Sequence, residues 1–149
     1  MSGVWNSIAV FALGGFGWLV AHFVGQPFRQ FYNLRGEVIH RSVLYDNVSA
    51  LQKEFPDGSV ERVDQSDDEI KRLRETQDVF RDLAARMRAF ALNEQFSVWL
   101  VKKFGYDPME ASAALLRVSN TLHTYGNTRA DAKKALEQAL DFRTVTTTR

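Results

Sequence analysis

Apolar and polar positions divide the chain into an unbroken hydrophobic opening and a longer amphipathic remainder. Residues 4–24 read VWNSIAVFALGGFGWLVAHFV, and no charged side chain precedes Arg29. At about 1.5 Å per residue, a helix of this length spans roughly 30 Å, the thickness of a bilayer's hydrocarbon. The polar side chains of the run, Asn6, Ser7 and His22, lie near its ends, where water and headgroups can solvate them. Trp5 and Trp18 suit interfacial or near-interfacial depths, because indole is an apolar body with one polar tip. The pattern predicts a single transmembrane helix over residues 4–25. A buried core helix and a cleaved signal peptide are the competing readings. A secretory signal needs a basic start and a small-x-small cleavage site. Met1-Ser2-Gly3 has no base, and His22-Phe23-Val24-Gly25-Gln26-Pro27 contains no such site. A retained anchor is therefore expected.

Beyond the run, the hydrophobic period becomes that of surface helices. Gly25-Gln26-Pro27 predicts a bend, with Pro27 in the first turn of a new helix. Phe31, Leu34, Val38, Tyr45, Val48 and Phe55 are spaced by 3, 4 or 7, one face of a juxtamembrane amphipathic helix over residues 27–55. Its start is aromatic and basic. Phe28, Arg29, Phe31, Tyr32 and Arg35, with Trp5 at the other end of the span, fit a membrane interface in which rings meet headgroups and guanidinium groups meet phosphate. The same aromatics also fit the core of a bundle.

Pro56-Asp57-Gly58-Ser59 has the chemistry of a turn and opens a linker over residues 56–66, with room for a short extended piece. A helical bundle over residues 67–143 follows. Ser66 with Glu69 predicts a capping box. Ile70, Leu73, Phe80, Leu83, Met87 and Ala91 form the apolar face that follows, with Gln77 among them. The phase is lost near Asn93-Glu94-Gln95, where a kink or restart is expected. Phe96, Trp99, Leu100 and Phe104 continue an aromatic face as far as Gly105, the expected left-handed stop. Asp107-Pro108 starts another helix, with Ala111, Ala114, Leu115, Val118, Leu122 and Tyr125 on its apolar side. Thr128 is expected to cap a last helix carrying Ala132, Ala135, Leu136 and Ala139. The alanine-rich faces of these two helices imply close approach. Residues 144–149 read as a frayed tail. The fold class expected is all-α: one N-terminal transmembrane helix, a long amphipathic helix and a small cytoplasmic helical bundle.

Composition adds few constraints. The net charge of +1, from 19 bases and 18 acids, is interspersed and gives no stripe for nucleic acid. The absence of cysteine removes disulfide and thiol chemistry. Arg29, Arg35 and Arg41 outweigh Glu37 and Asp46 after the span, which places the N-terminus outside and the C-terminal part in the cytoplasm, across the inner membrane if the cell is bacterial.

The search for chemistry finds no metal-ligand spacing among His22, His40 and His123, no nucleophile elbow and no phosphate loop. No catalytic residue, cofactor, metal or small-molecule substrate is expected. Ser119, Asn120 and His123 make a polar cluster near a helix end. It fits a partner contact, although satisfying the last carbonyls of that helix is the simpler reading. Ser7, Gly14, Gly17, Ala21 and Gly25 share an arc of roughly 80° at 100° per residue, a small-residue face of the kind that packs membrane helices. Glycine placement by chance gives the same pattern in apolar sequence. The expectation is a membrane-anchored helical interaction or assembly protein, an accessory subunit or scaffold of a membrane complex, with lipid and a protein partner as its contacts. A self-assembling homo-oligomer, ring or pore, is the alternative, and an enzyme of unknown type comes third.

Overall fold

The computed structural model describes residues 14–15, 17–18, 21–46, 52–55, 59–62, 64 and 66–142. Trp5, Ser7, most of the apolar run, residues 56–58 and the tail at 144–149 lie outside the described residues. The architecture is a helical bundle of α1 (Gln26–Leu44), α2 (Asp67–Asn93), α3 (Gln95–Lys103), α4 (Pro108–Thr121) and α5 (Asn127–Ala139). Three short strands, β1 (Gln52–Glu54), β2 (Val60–Arg62) and β3 (Thr124–Tyr125), form one small sheet beside it.

The chain enters α1 with Pro27 in its first turn, as expected, through an irregular turn where the bend is expected. Residues Ala21–Gly25 form a π-turn, and Gly25 itself has helical dihedrals (φ −67, ψ −40). Pro27 supplies the reason. Proline lacks an N–H, and its ring crowds the carbonyl four residues earlier. Widening the preceding turn relieves that crowding without ending the helix. The helix then buries Phe31, Leu34 and Val38, three residues of the expected face. It stops at Leu44, however, and not at Phe55. Residues 52–54 pair instead with β2 in an antiparallel ladder (Gln52 opposite Arg62, Glu54 opposite Val60), closed by Phe55 N–H donating to the Ser59 carbonyl at 2.9 Å. β1 also runs parallel to β3, with Gln52 opposite Thr124. The all-α expectation therefore holds for the bundle and is corrected at this sheet.

In α2 the capping box forms as its residues dictate. The Glu69 N–H donates to Ser66 Oγ at 3.4 Å, and the Ser66 N–H donates to Glu69 Oε2 at 3.0 Å. The Ser66 N–H and the Ser66 hydroxyl, which donates to the same Oε2 at 3.1 Å, hold the Glu69 carboxyl below its ordinary pKa. The buried face comprises Leu73, Thr76, Phe80, Leu83, Ala84, Met87, Phe90 and Ala91, while Ile70 and Gln77 are half-buried. Thr76 is tolerated in the core because its hydroxyl donates to the Arg72 carbonyl at 2.7 Å. The helix ends where the periodicity fails, at Glu94 (φ −108, ψ 54).

Against α2 lies α4, with Ala111, Ala114, Leu115 and Val118 buried. Its small residues bring the backbones close enough for two serines to reach across. Ser112 Oγ donates to the Ala84 carbonyl at 2.8 Å, and Ser119 Oγ donates to the Gln77 carbonyl at 3.2 Å. On its other side α4 packs on Ala132, Leu136 and Ala139 of α5. α5 begins at Asn127 after an extended Gly126, so Thr128 lies inside the helix and is not its cap.

Both C-terminal stops are Schellman turns. After α3, the Gly105 N–H meets the Lys102 carbonyl and the Tyr106 N–H meets that of Val101, with Gly105 at φ +90. After α5, the Asp141 N–H meets the Gln138 carbonyl and the Phe142 N–H meets that of Glu137, with Asp141 in the left-handed position at φ 45.

The end of α5 is fastened by long-range donors. The Asp107 N–H donates to the Ala139 carbonyl at 2.8 Å. Arg35 Nε donates to the Leu140 carbonyl at 2.8 Å, and Arg35 Nη2 donates to that of Asp141 at 2.9 Å. The same guanidinium lies 5.1 Å over the Tyr106 ring. A cation thus satisfies carbonyls that a helix end leaves without partners, at the negative end of its dipole.

Candidate interaction surface

The residues expected at a membrane interface separate in the structure. Phe31 is a core residue, fully buried against Phe90 (ring centroids 5.7 Å) and Tyr106 (5.4 Å). Arg35 is committed to the α5 carbonyls, so its guanidinium is not a free headgroup ligand. These two assignments are corrected, because the first turns of α1 dock on the bundle and bury the side that carries them. Arg29 and Tyr32 stay exposed, and Phe28 is half-buried with its ring edge-on to Phe104 at 6.1 Å. Partial desolvation and a hydrogen bond with the neighbouring Tyr106 push the Tyr32 phenol above its ordinary pKa.

The polar cluster also divides. Ser119 is fully buried and bonded to the Gln77 carbonyl, so it joins α4 to α2 and is not a partner contact. Asn120 is exposed, and His123 is half-buried at the entry to β3.

In the small-residue face, Gly14, Gly17, Ala21 and Gly25 are all exposed, and Ser7 lies outside the described residues. A Cβ placed on Gly14, Gly17 or Gly25 meets no atom within 4 Å. Nothing described in the chain itself requires glycine there. Trp18 is stacked on His22 at 5.2 Å and is 62% exposed.

The largest apolar surface among the exposed residues described is on α3. The expected aromatic face is not turned inward. Ser97 and Val101 are buried, whereas Phe96 (58%), Trp99 (52%) and Phe104 (59%) are exposed, as is Leu92 (56%) at the end of α2. Phe96 and Trp99 stack with centroids 5.8 Å apart, and Lys103 Nζ sits 4.3 Å over the Trp99 ring. The charged residues of α3 are Lys102 and Lys103 alone. Lys102 pairs with Asp107 at 2.9 Å, while Lys103 lies on the aromatic face. At Asp107 burial raises the pKa, but the hydrogen bond and charge of Lys102 and the amides of Glu110 and Met109 outweigh it, and the net shift is down.

Two cavities lie among the described residues. One of about 30 Å³ lies among Ser42, Tyr45, Phe80, Leu122 and Lys133, and the buried Ser42 hydroxyl has no hydrogen-bond partner among the described residues. A more open groove of about 620 Å³ runs between the start of α1 and the end of α2, bordered by Gln26, Arg29, Asn33, Arg86 and Glu94. Among the described residues no group of three or more His, Cys, Asp or Glu is placed to hold a metal ion. Among them, too, no helix is long and apolar enough to cross a membrane; residues 4–13, 16, 19 and 20 of the apolar run fall outside that set.

No family model, curated protein or solved structure matches the chain. The fold and its surfaces define the class directly: an α-helical bundle with a small sheet, bearing an exposed aromatic helix face.

Proposed function

We propose that this protein is a membrane-anchored helical assembly protein, an accessory subunit or scaffold of a membrane complex. Residues 4–25 serve as its single span and α1 to α5 as its cytoplasmic interaction body. The observation that carries the reading is the charge-free run of residues 4–24, which leads directly into a folded bundle. The N-terminus lies outside and the bundle inside, following the arginines that flank the run. Self-assembly of the chain into a homo-oligomer is the second reading. It is favoured by the glycines, which are exposed and at which an added Cβ meets no atom within 4 Å among the described residues.

Replacing Gly17 with Leu tests the assembly role. A Cβ added at Gly17 meets no described atom within 4 Å, so the effect of the substitution is expected between molecules. Gly15→Leu, about 160° away around the helix, is the matched control. Gly17→Leu should weaken retention of the partner, or of other copies, by about 1–2 kcal/mol per contact, and Gly15→Leu should do little. Native mass of the detergent-extracted variants distinguishes a homo-oligomer, a co-purified subunit and a monomer. Identical behaviour of the two variants would remove the span from the assembly surface.

A further inference from the structure

We infer that the outer face of α3 is a second membrane contact: a bilayer-docking surface that lays the bundle against the lipid beside its own anchor. This inference rests on the reading of residues 4–25 as the span. The face is the inverse of what a bundle helix presents. α3 buries a serine and a valine and exposes Phe96, Trp99 and, at its end, Phe104. On α3 itself Phe96, Trp99 and Lys103 occupy one arc of about 60° at 100° per residue, with Phe104 at the helix end and Leu92 exposed across the break at Glu94. Four large apolar side chains, each about half exposed, amount to roughly 400 Å², the size of the largest apolar patch on a typical monomer, which is often functional.

The occupant follows from chemistry and position together. Aromatic rings flanked by lysine, with no acid on the helix, are the composition of a helix lying in the headgroup layer. Rings enter the acyl boundary while the ammonium of Lys103, held over Trp99, reaches lipid phosphate. The patch also borders the point where the chain leaves the bundle for the apolar run. Phe28, on the first turn of α1, touches Phe104 edge-on, and Arg29 beside it is exposed. A span leaving at Gln26 therefore holds this face close to the bilayer, where tethering raises its effective concentration. A protein partner or a second copy would cover the same rings, and the experiment separates them.

The test uses the full chain in vesicles of mixed neutral and anionic phospholipid, with two single-tryptophan variants. Trp5→Phe with Trp18→Phe leaves Trp99 as the reporter, and Trp5→Phe with Trp99→Phe leaves Trp18. Lipids brominated high on the acyl chain act as the quencher. The expected result is that Trp99 emission falls by about half and that Lys103→Glu reduces this quenching, most strongly in anionic vesicles. Quenching of Trp18 without quenching of Trp99 would overturn the docking surface and leave the span intact. A blue-shifted but unquenched Trp99 would assign the face to protein and overturn it equally. Quenching of Trp99 without Trp18 would keep the surface and remove the span; silence of both would remove both.

Discussion

Arg35 offers the sharpest test of how the bundle is closed. Its guanidinium makes two hydrogen bonds to the carbonyls that follow α5 and lies over Tyr106. A hydrogen bond from a charged donor is worth about 1.5–3 kcal/mol where water is excluded. The Nε bond is part-buried and merits the lower figure, whereas the Nη2 bond is exposed and merits about 0.5 kcal/mol. The ring contact adds about 0.5 kcal/mol. Arg35→Met keeps most of the aliphatic stem and removes all three terms, a loss of roughly 2–3 kcal/mol. Arg35→Lys keeps one donor and should lose about 1 kcal/mol. For a chain of this size, 1 kcal/mol corresponds to a Tm change of about 2–4 °C, so Arg35→Met should melt about 4–12 °C lower, with Arg35→Lys between it and wild type. Helical circular dichroism of the full chain in detergent reads this. Hydrogen exchange should show the last amides of α5 losing protection first. A methionine variant within about 0.5 kcal/mol of wild type, or a lysine variant no better than methionine, would show that the carbonyls are satisfied without the cation.

Two further tests concern helix ends. Asp107 caps α4 through the amides of Met109 and Glu110 and pairs with Lys102, and its folded pKa is depressed. Its contribution is therefore present above the ordinary aspartate pKa and is lost as pH falls through the folded value. Asp107→Ala should cost about 1–2 kcal/mol at neutral pH, whereas Asp107→Asn keeps an acceptor and should cost about 0.5 kcal/mol. The gap between wild type and Asp107→Asn should close in acid; a gap independent of pH in denaturant titrations would refute the charge's role. Asp141→Gly should gain about 0.5 kcal/mol in the same titrations, because φ 45 suits glycine better than a side chain, and Gly105→Ala should lose about 1 kcal/mol at φ +90. No neighbour lies within 4 Å of a Cβ at Gly105, so that loss measures backbone strain alone.

What the sequence made legible was mostly local. Ser66 and Glu69, Asp107 and Pro108, and Gly105 each encode a helix end within a few residues, and each forms as expected. The faces of α2 and α4 were readable because long helices repeat their apolar period several times. The small sheet was not. Strands of two or three residues such as Gln52–Glu54 carry no alternation, and pairing with Thr124–Tyr125 depends on where the bundle places both. Arg35 could not be read as a cap because its carbonyls lie 105 and 106 positions away. In the candidate surface, periodicity located the aromatic stripe of α3 but carried no information on which way it faces. The stripe faces out because Ser97 and Val101, small enough for close approach, take the buried side.

The central claim is that residues 4–25 hold the bundle in a membrane, and an alkaline carbonate wash of membranes carrying the full chain tests it most directly. High pH strips proteins held by charge or by partners, while a span stays because its apolar residues have no better solvent. The account predicts that the full chain remains in the membrane pellet and floats with the lipid. Release of the intact chain into the supernatant would contradict it.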